Sequence, residues 1–142
     1  MIEEKEQEKV KAGIGSALAQ IPQGLFILTA RHEDRRLGML ASWVQQSCFE
    51  PPMVSVAIAK GRPIMPLISE SRRFGLCQIA TGEKVILPKF AAGVDSSEDP
   101  LPACDLIHGV EGDHDIFIGA IKAGNFHNGE PMVHLREDGF SY

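Results

Sequence analysis

The spacing of apolar and polar positions changes along this chain, and each change marks an element. Over residues 3–20 the apolar side chains Val10, Ile14, Ala17 and Leu18 recur at helical spacing. Ile21 continues that face and Pro22 stops it, which predicts an opening helix with a charged, solvated first half. Residues 24–30 (GLFILTA) are rich in strand formers and read as a buried strand, and 32–36 as a charged turn. A second strand is expected over 37–44. A polar loop through Gln45, Gln46 and Ser47 then leads to the rigid pair Pro51-Pro52 and a third strand, Met53–Ala59. In this strand Val54, Val56 and Ile58 alternate with Ser55, Ala57 and Ala59, so one face is large and the other small.

Pro63 opens a short helix to residue 71, because a first-turn proline forfeits no helical hydrogen bond. Residues 74–80 read as a strand. Periodicity then fails over 82–102, where Pro88, Gly93, Pro100 and Pro102 indicate a long loop. A weak strand is expected at 105–110 and better ones at 115–123 and 131–135, the last two separated by a Gly/Asn turn over 124–129. About seven short strands with two helices predict a mostly β fold: a closed antiparallel, Greek-key-like barrel with helical additions.

A length of 142 residues fits one domain, taken as 1–142 in the absence of a repeat or linker, and the 44% apolar and 23% charged content is ordinary for a globular chain. The net charge of −5 argues against a nucleic-acid partner, though not against one bound phosphate. The charged N-terminus does not read as a signal peptide and no apolar run is long enough to cross a bilayer, so no membrane partner is expected. Three cysteines without a C-x-x-C spacing read as reduced thiols of a cytoplasmic protein. Cys104, His108, His114, His127 and His134 match no structural zinc spacing, and no metal is expected. Gly13-Ile14-Gly15 lies inside a helical pattern and lacks the third glycine of a dinucleotide fingerprint.

The stretch from Leu37 to Leu67 carries the candidate chemistry. Two strands joined by small and amide-bearing residues can present backbone donors to a flat polar ring. The candidates are the amides of Leu40, Ala41, Ser42 and Trp43 and those from Gln45 to Cys48 (Gln46, Ser47 and Cys48 included), with hydroxyls from Ser42 and Ser47. Lys60, Gly61 and Arg62 precede a helix N-terminus, where free N–H groups and the helix dipole attract an anion. Ring and phosphate sites together suggest flavin mononucleotide (FMN). The plainer reading is an ordinary hairpin and a solvated turn. Trp43 reads first as core packing, with ring stacking or a dimer contact as alternatives. Cys48 reads as an inert, half-buried thiol.

Four segments in order resemble the flavin reductase-like family with the FMN-binding split-barrel fold. They are residues 17–30 (ALAQIPQGLFILTA), the run from Gly38-Met39 through Ala41-Ser42 and Pro51-Pro52 to the basic turn, Gly112-Asp113-His114 with Phe117-Ile118-Gly119, and Gly129-Glu130-Pro131-Met132. The version Ala41-Ser42-Trp43-Val44 is most similar to reductase modules fused to flavodiiron proteins. The resemblance implies bound FMN, NAD(P)H as hydride donor, a homodimer, and a redox protein or oxygenase as electron acceptor. It places His114 close to the flavin and nicotinamide, in a catalytic orienting role; a turn histidine bonded to its neighbours is the other reading. An FMN electron carrier without its own NAD(P)H site, and a non-enzymatic ligand-binding module, stand as alternatives. Two departures bear on these expectations. Trp43 replaces a residue that is more often small or polar, and the connection over 81–103 is short, with Lys89-Phe90 as the candidate for the family's K-F pair.

Overall fold

The computed structural model describes residues 1–84, 104–106, 113–127 and 129–140. Its elements in chain order are α1 (Ile2–Ala19), β1 (Gln23–Gly24), β2 (Phe26–His32), β3 (Arg35–Ala41), β4 (Val44–Cys48), β5 (Met53–Ala59), α2 (Ile64–Ser71), β6 (Arg73–Gln78), β7 (Cys104–Leu106), β8 (His114–Ile121) and β9 (Val133–His134). They form two compact units, one of Met1–Gln23 with Val133–Tyr142 and one of Gly24–Met132.

The larger unit is built on seven antiparallel strands in the order β3-β2-β6-β7-β8-β5-β4. Its edge strands β3 and β4 are consecutive in the chain, separated only by Ser42 and Trp43. Seven flat strands would hold those edges roughly 29 Å apart, whereas the chain from Ala41 to Val44 spans at most about 11 Å. The sheet therefore curls until its edges approach, and its ladder stays open between β3 and β4. This is the expected barrel, split along one seam.

Inside the curl, Leu28, Val54, Val56, Ile58, Phe74 and Phe117 meet the apolar side of α2. Ile64, Leu67 and Ile68 recur at helical spacing on that side and are buried, which seats α2 on the core. Arg72 closes the helix in a left-handed conformation, its N–H bonded to the Ile68 carbonyl.

Three sequence expectations change in the larger unit. The strand expected over 37–44 is broken at Ser42-Trp43, because the chain leaves one sheet edge for the other there. Gln45, Gln46 and Ser47 are not a loop: they lie in β4, Gln45 and Gln46 paired with β5 and Ser47 within the register shift between Gln46 and Cys48. Backbone pairing outweighs their polar side chains, which sit at the surface of an edge strand. The charged turn of 32–36 contracts to Glu33-Asp34, with Glu33 at φ 53° and His32 paired to Arg35. Most of the 82–102 loop, including Lys89-Phe90, and residues 107–110 of the weak strand lie outside the described residues.

In the smaller unit, the apolar face expected on α1 is open: Val10, Ile14 and Leu18 stay exposed and only Gly15 and Ala19 are buried. Gly15 owes its presence to packing. A side-chain carbon there would meet the Phe140 ring at 3.0 Å, and one at Gly139 would stand 2.9 Å from the Gly15 carbonyl oxygen. The C-terminal segment thus lies against a notch in α1, and this accounts for part of the Gly13-Ile14-Gly15 run.

Candidate functional site

Strand register sorts the candidates by face. Directly paired residues of antiparallel strands point to the same side. Gln45 pairs with Ser55, Ser55 with Ile118, Ala57 with Ile116 and Ala59 with His114. The Ala57 N–H donates to the Trp43 carbonyl at 3.0 Å, which places Trp43 beside Ala57. Trp43, Gln45, Ser55, Ala57, Ala59, His114, Ile116 and Ile118 therefore share the outer face, and none of them is fully buried. The small face expected of β5 is half-exposed, and the Trp43 and His114 rings, from the strands on either side of it, meet over its Ala57–Ala59 end.

Those two rings are in contact, with centroids 4.5 Å apart and planes at 39°. Trp43 is thus half-buried against His114 on the outer face and not in the core, where a strand aromatic was expected. His114 is held from its other side by Asp113, whose Oδ1 lies 2.8 Å from Nδ1. A carboxylate accepts, so Nδ1 carries the proton and donates; in the neutral ring Nε2 is then the basic nitrogen. The hydrogen bond from His114, then its charge, holds the exposed Asp113 carboxyl below the usual carboxylate range, with a smaller push from Lys60. Asp113 was not among the sequence candidates, although its adjacency to His114 was a usable signal.

The open seam supplies backbone donors. Trp43 and Ala57 are hydrogen-bonded, so the alternation of an antiparallel ladder turns the peptide groups of Val44 and Gln46 away from β5. Leu40 and Ala41 end the opposite edge, paired with Ile27 and Phe26 of β2. Ser42 bridges the two edges. Ser47 sits exposed at the register shift, and the Cys48 thiol donates to the Glu50 carbonyl at 3.6 Å.

Gln46 departs from this grouping. It pairs with Val54, so it takes the inner-side register, exposed at a cavity of about 340 Å³ that Phe26, Val44 and Leu76 also line. A period of two separates it from His114 and Trp43, which is why a loop reading could not sort it.

The basic turn lies beside His114. Lys60 N–H donates to the Asp113 carbonyl at 3.0 Å, and Gly61 takes φ 85°, a conformation that glycine adopts without strain. Open space surrounds Gly61, and Arg62 is exposed just before α2. Lys60 Nζ lies 3.8 Å from Asp115 Oδ1, so its charge is partly matched already. That pairing crosses from β5 to β8 and had no sequence signal. Among the described residues no group of three His, Cys, Asp or Glu could hold a metal ion, and no helix is long and apolar enough to cross a membrane. His108 and the Cys104 side chain lie outside the described set.

Comparison with known proteins bears on the family and the fold. A diflavin flavoprotein A 3 of Nostoc sp. (strain PCC 7120 / SAG 25.82 / UTEX 2576) is 30% identical over 97% of this chain, which spans 28% of that relative's length. The styrene monooxygenase flavin reductase of Pseudomonas putida S12 superposes with a TM-score of 0.71 at 23% identity, covering 84% of this chain and 90% of its own. The FMN-binding protein of Thermus thermophilus superposes with a TM-score of 0.63 at 21% identity, covering 73% and 70%. The model of the flavin reductase like domain matches residues 18–103, the stretch that holds the seam, the small-faced strand and the basic turn, and the chain belongs to that family.

Proposed function

We propose that this chain binds FMN on the outer face of β4, β5 and β8 and serves as an NAD(P)H-dependent flavin reductase. The observation that carries the reading is the small, half-exposed face of Ser55, Ala57 and Ala59, covered at its Ala59 end by the tilted Trp43–His114 pair and bordered by the Lys60-Gly61-Arg62 turn. The residues fit the group. A flat ring needs a floor without bulk, its polar edge needs backbone donors, and its phosphate needs cations beside free amides. The peptide groups of Leu40, Ala41, Ser42 and Trp43, with those from Gln46 to Cys48, are assigned to the ring. Lys60, Gly61 and Arg62 are assigned to the phosphate. When bound, FMN supplies the hydride-accepting centre. The chain's own work is to orient that ring, exclude water from one side of it, and hold a proton at His114 Nδ1, so that Nε2 meets the reacting edge.

A homodimer, and a redox protein or oxygenase that takes the electrons onward, belong to the same proposal. The named function of the Pseudomonas reductase supports the oxygenase. A second reading, an FMN electron carrier, draws support from the tilted Trp43 ring, which already occupies one side of His114 where a nicotinamide needs room. Visible spectra distinguish the two. The protein is loaded with FMN and mixed with NADH or NADPH without oxygen. Bleaching of the flavin band supports the reductase. A bound flavin that stays oxidised supports the carrier, and no uptake of FMN refutes both.

A further inference from the structure

His114 stands between two carboxylates in the chain, Asp113 and Asp115, and the Lys60 ammonium acts on both. Its Nζ lies 3.8 Å from Asp115 Oδ1. The Asp113 carboxyl is lowered first by the hydrogen bond from His114, then by the charge of that ring, and more weakly by the charge of Lys60. The main chain repeats the link, since the Lys60 N–H donates to the Asp113 carbonyl at 3.0 Å. Arg62 is tied differently. Its N–H donates to the Ala59 carbonyl at 3.4 Å and its carbonyl accepts the Met65 N–H at 3.1 Å, so its main-chain bonds stay within the turn and α2.

Register separates Lys60 from the ring it influences. His114 pairs with Ala59 and takes the outer face, whereas Asp115 pairs with Ile58 and takes the other. Lys60 therefore reaches His114 only through the carboxylates. Asp113 is the nearer route, with Oδ1 at 2.8 Å from His114 Nδ1. The His114 side chain is 15% exposed against 99% for Asp113, so the ring is confined and the carboxylate that holds it is open to its surroundings. An anion at the Gly61 and Arg62 amides is a third claimant on the Lys60 charge. A carboxylate that loses part of a neighbouring cation accepts more strongly from the donor it keeps. For Asp113 that donor is the His114 Nδ1–H.

Resting on the FMN reading above, we propose that Lys60 is a positioning residue: it relays occupancy of the phosphate turn to the His114 ring, and so makes a phosphorylated flavin react faster than riboflavin once either is bound. Arg62 supplies affinity for the phosphate, and Lys60 converts its arrival into a firmer hold on Nδ1. Discrimination between the two flavins then lies in rate as well as in binding.

Titration of the flavin-free full chain with inorganic phosphate, at constant ionic strength, tests the relay without a redox step. Two NMR signals are followed: the Gly61 amide, which reports an anion at the turn, and the His114 ring nitrogens, identified by their loss in His114→Gln. Both should move with one Kd in the native chain. In Lys60→Gln the Gly61 signal should still move and the His114 signal should not, and Lys60→Arg should recover part of the His114 response. Arg62→Gln should raise the Kd about tenfold yet keep the full His114 shift at saturation. Melting curves confirm that the variants fold. A His114 signal that stays still while Gly61 moves, or that moves equally in Lys60→Gln, overturns the relay and leaves the phosphate turn standing. A Gly61 amide unmoved at tens of millimolar phosphate overturns both. Anaerobic reduction by NADH reads the consequence: FMN should react about two- to fivefold faster than riboflavin at saturation, the range that one partly exposed ion pair can supply. That ratio should fall to about one in Lys60→Gln, and a ratio unchanged there overturns the proposal.

Discussion

Removing Arg62 tests the proposed phosphate site most directly, because the two cations of the turn are not equivalent. Lys60 lies 3.8 Å from Asp115, with the two side chains 45% and 25% exposed, whereas Arg62 is exposed beside the N-terminus of α2. A charge-assisted hydrogen bond to phosphate is worth about 1.5–3 kcal/mol, or roughly ten- to 150-fold in Kd. Arg62→Ala should therefore weaken FMN at least about tenfold at low salt. A partly exposed ion pair such as Lys60–Asp115 is worth up to about 1 kcal/mol, which a phosphate must compete against. Asp115→Asn should remove that competition and tighten FMN by up to roughly fivefold. Lys60→Ala should then cost more in the Asp115→Asn background than alone, and that difference is the coupling a double-mutant cycle reads. Flavin fluorescence quenching measures each Kd, and added salt should shrink every effect through screening. Unchanged affinity in Arg62→Ala, or weaker binding in Asp115→Asn, would refute this account of the turn.

Four further outcomes are expected. His114→Gln should slow anaerobic flavin reduction by about tenfold or more while FMN affinity changes little; stopped-flow spectra and a parallel titration separate the two, and equal reduction rates would return His114 to a structural role. Asp113 has a depressed carboxyl pKa, so its stabilising effect is present above its ordinary pKa of about 4 and is lost as pH falls through the lowered value. The melting-temperature gap between the native chain and Asp113→Ala should accordingly hold at neutral pH and close in acid, and a gap that widens in acid would contradict the His114 pairing. Ala57→Leu adds bulk to a half-exposed floor and should abolish FMN binding with little change in melting temperature, whereas Phe74→Ala, at a fully buried site, should cost about 3–5 kcal/mol in denaturant titrations. Gly139→Ala would force its new carbon against Leu18 and the Gly15 carbonyl, and should loosen the C-terminal segment by about 1–3 kcal/mol, read as faster hydrogen exchange over 133–140.

Side-chain period made much of the fold legible. The alternation in β5 named both its buried and its small face, and the helical spacing around Leu67 named the helix that seats on the core. What stayed hidden depends on partners distant in sequence. Gln45, Gln46 and Ser47 carry no strand pattern of their own; they are a strand because Ser55 and Val54 pair with Gln45 and Gln46, and Met53 with Cys48 beyond the shift. The same distant pairing decides that Gln46 turns inward while Trp43 and Gln45 turn outward, so one polar run divides between two sides of the sheet. The Lys60–Asp115 pair is likewise a product of register. The stripe on α1 misled in the opposite direction: its spacing is helical, yet Val10 and Ile14 are about half exposed, since spacing states which residues share a face and not whether anything covers it.

The seam explains why recognition gathers where it does. A barrel closed between β3 and β4 would spend the outward peptide groups of Val44 and Gln46 on its own ladder, and Ser42-Trp43 would shrink to an ordinary turn. Left open, the two edges bring outward-facing peptide groups from both strands to one place, and the two-residue bridge carries the chain across the gap. Trp43 stands in that bridge, so the residue that joins the edges also sets the position of the His114 ring. A small residue at Trp43 would keep the donors and lose the contact with His114. Trp43→Ser is thus expected to retain FMN within a few-fold and to change the rate of reduction by NADH. An equal loss of both would mean that the indole supports the seam itself, and that His114 is positioned by Asp113 alone.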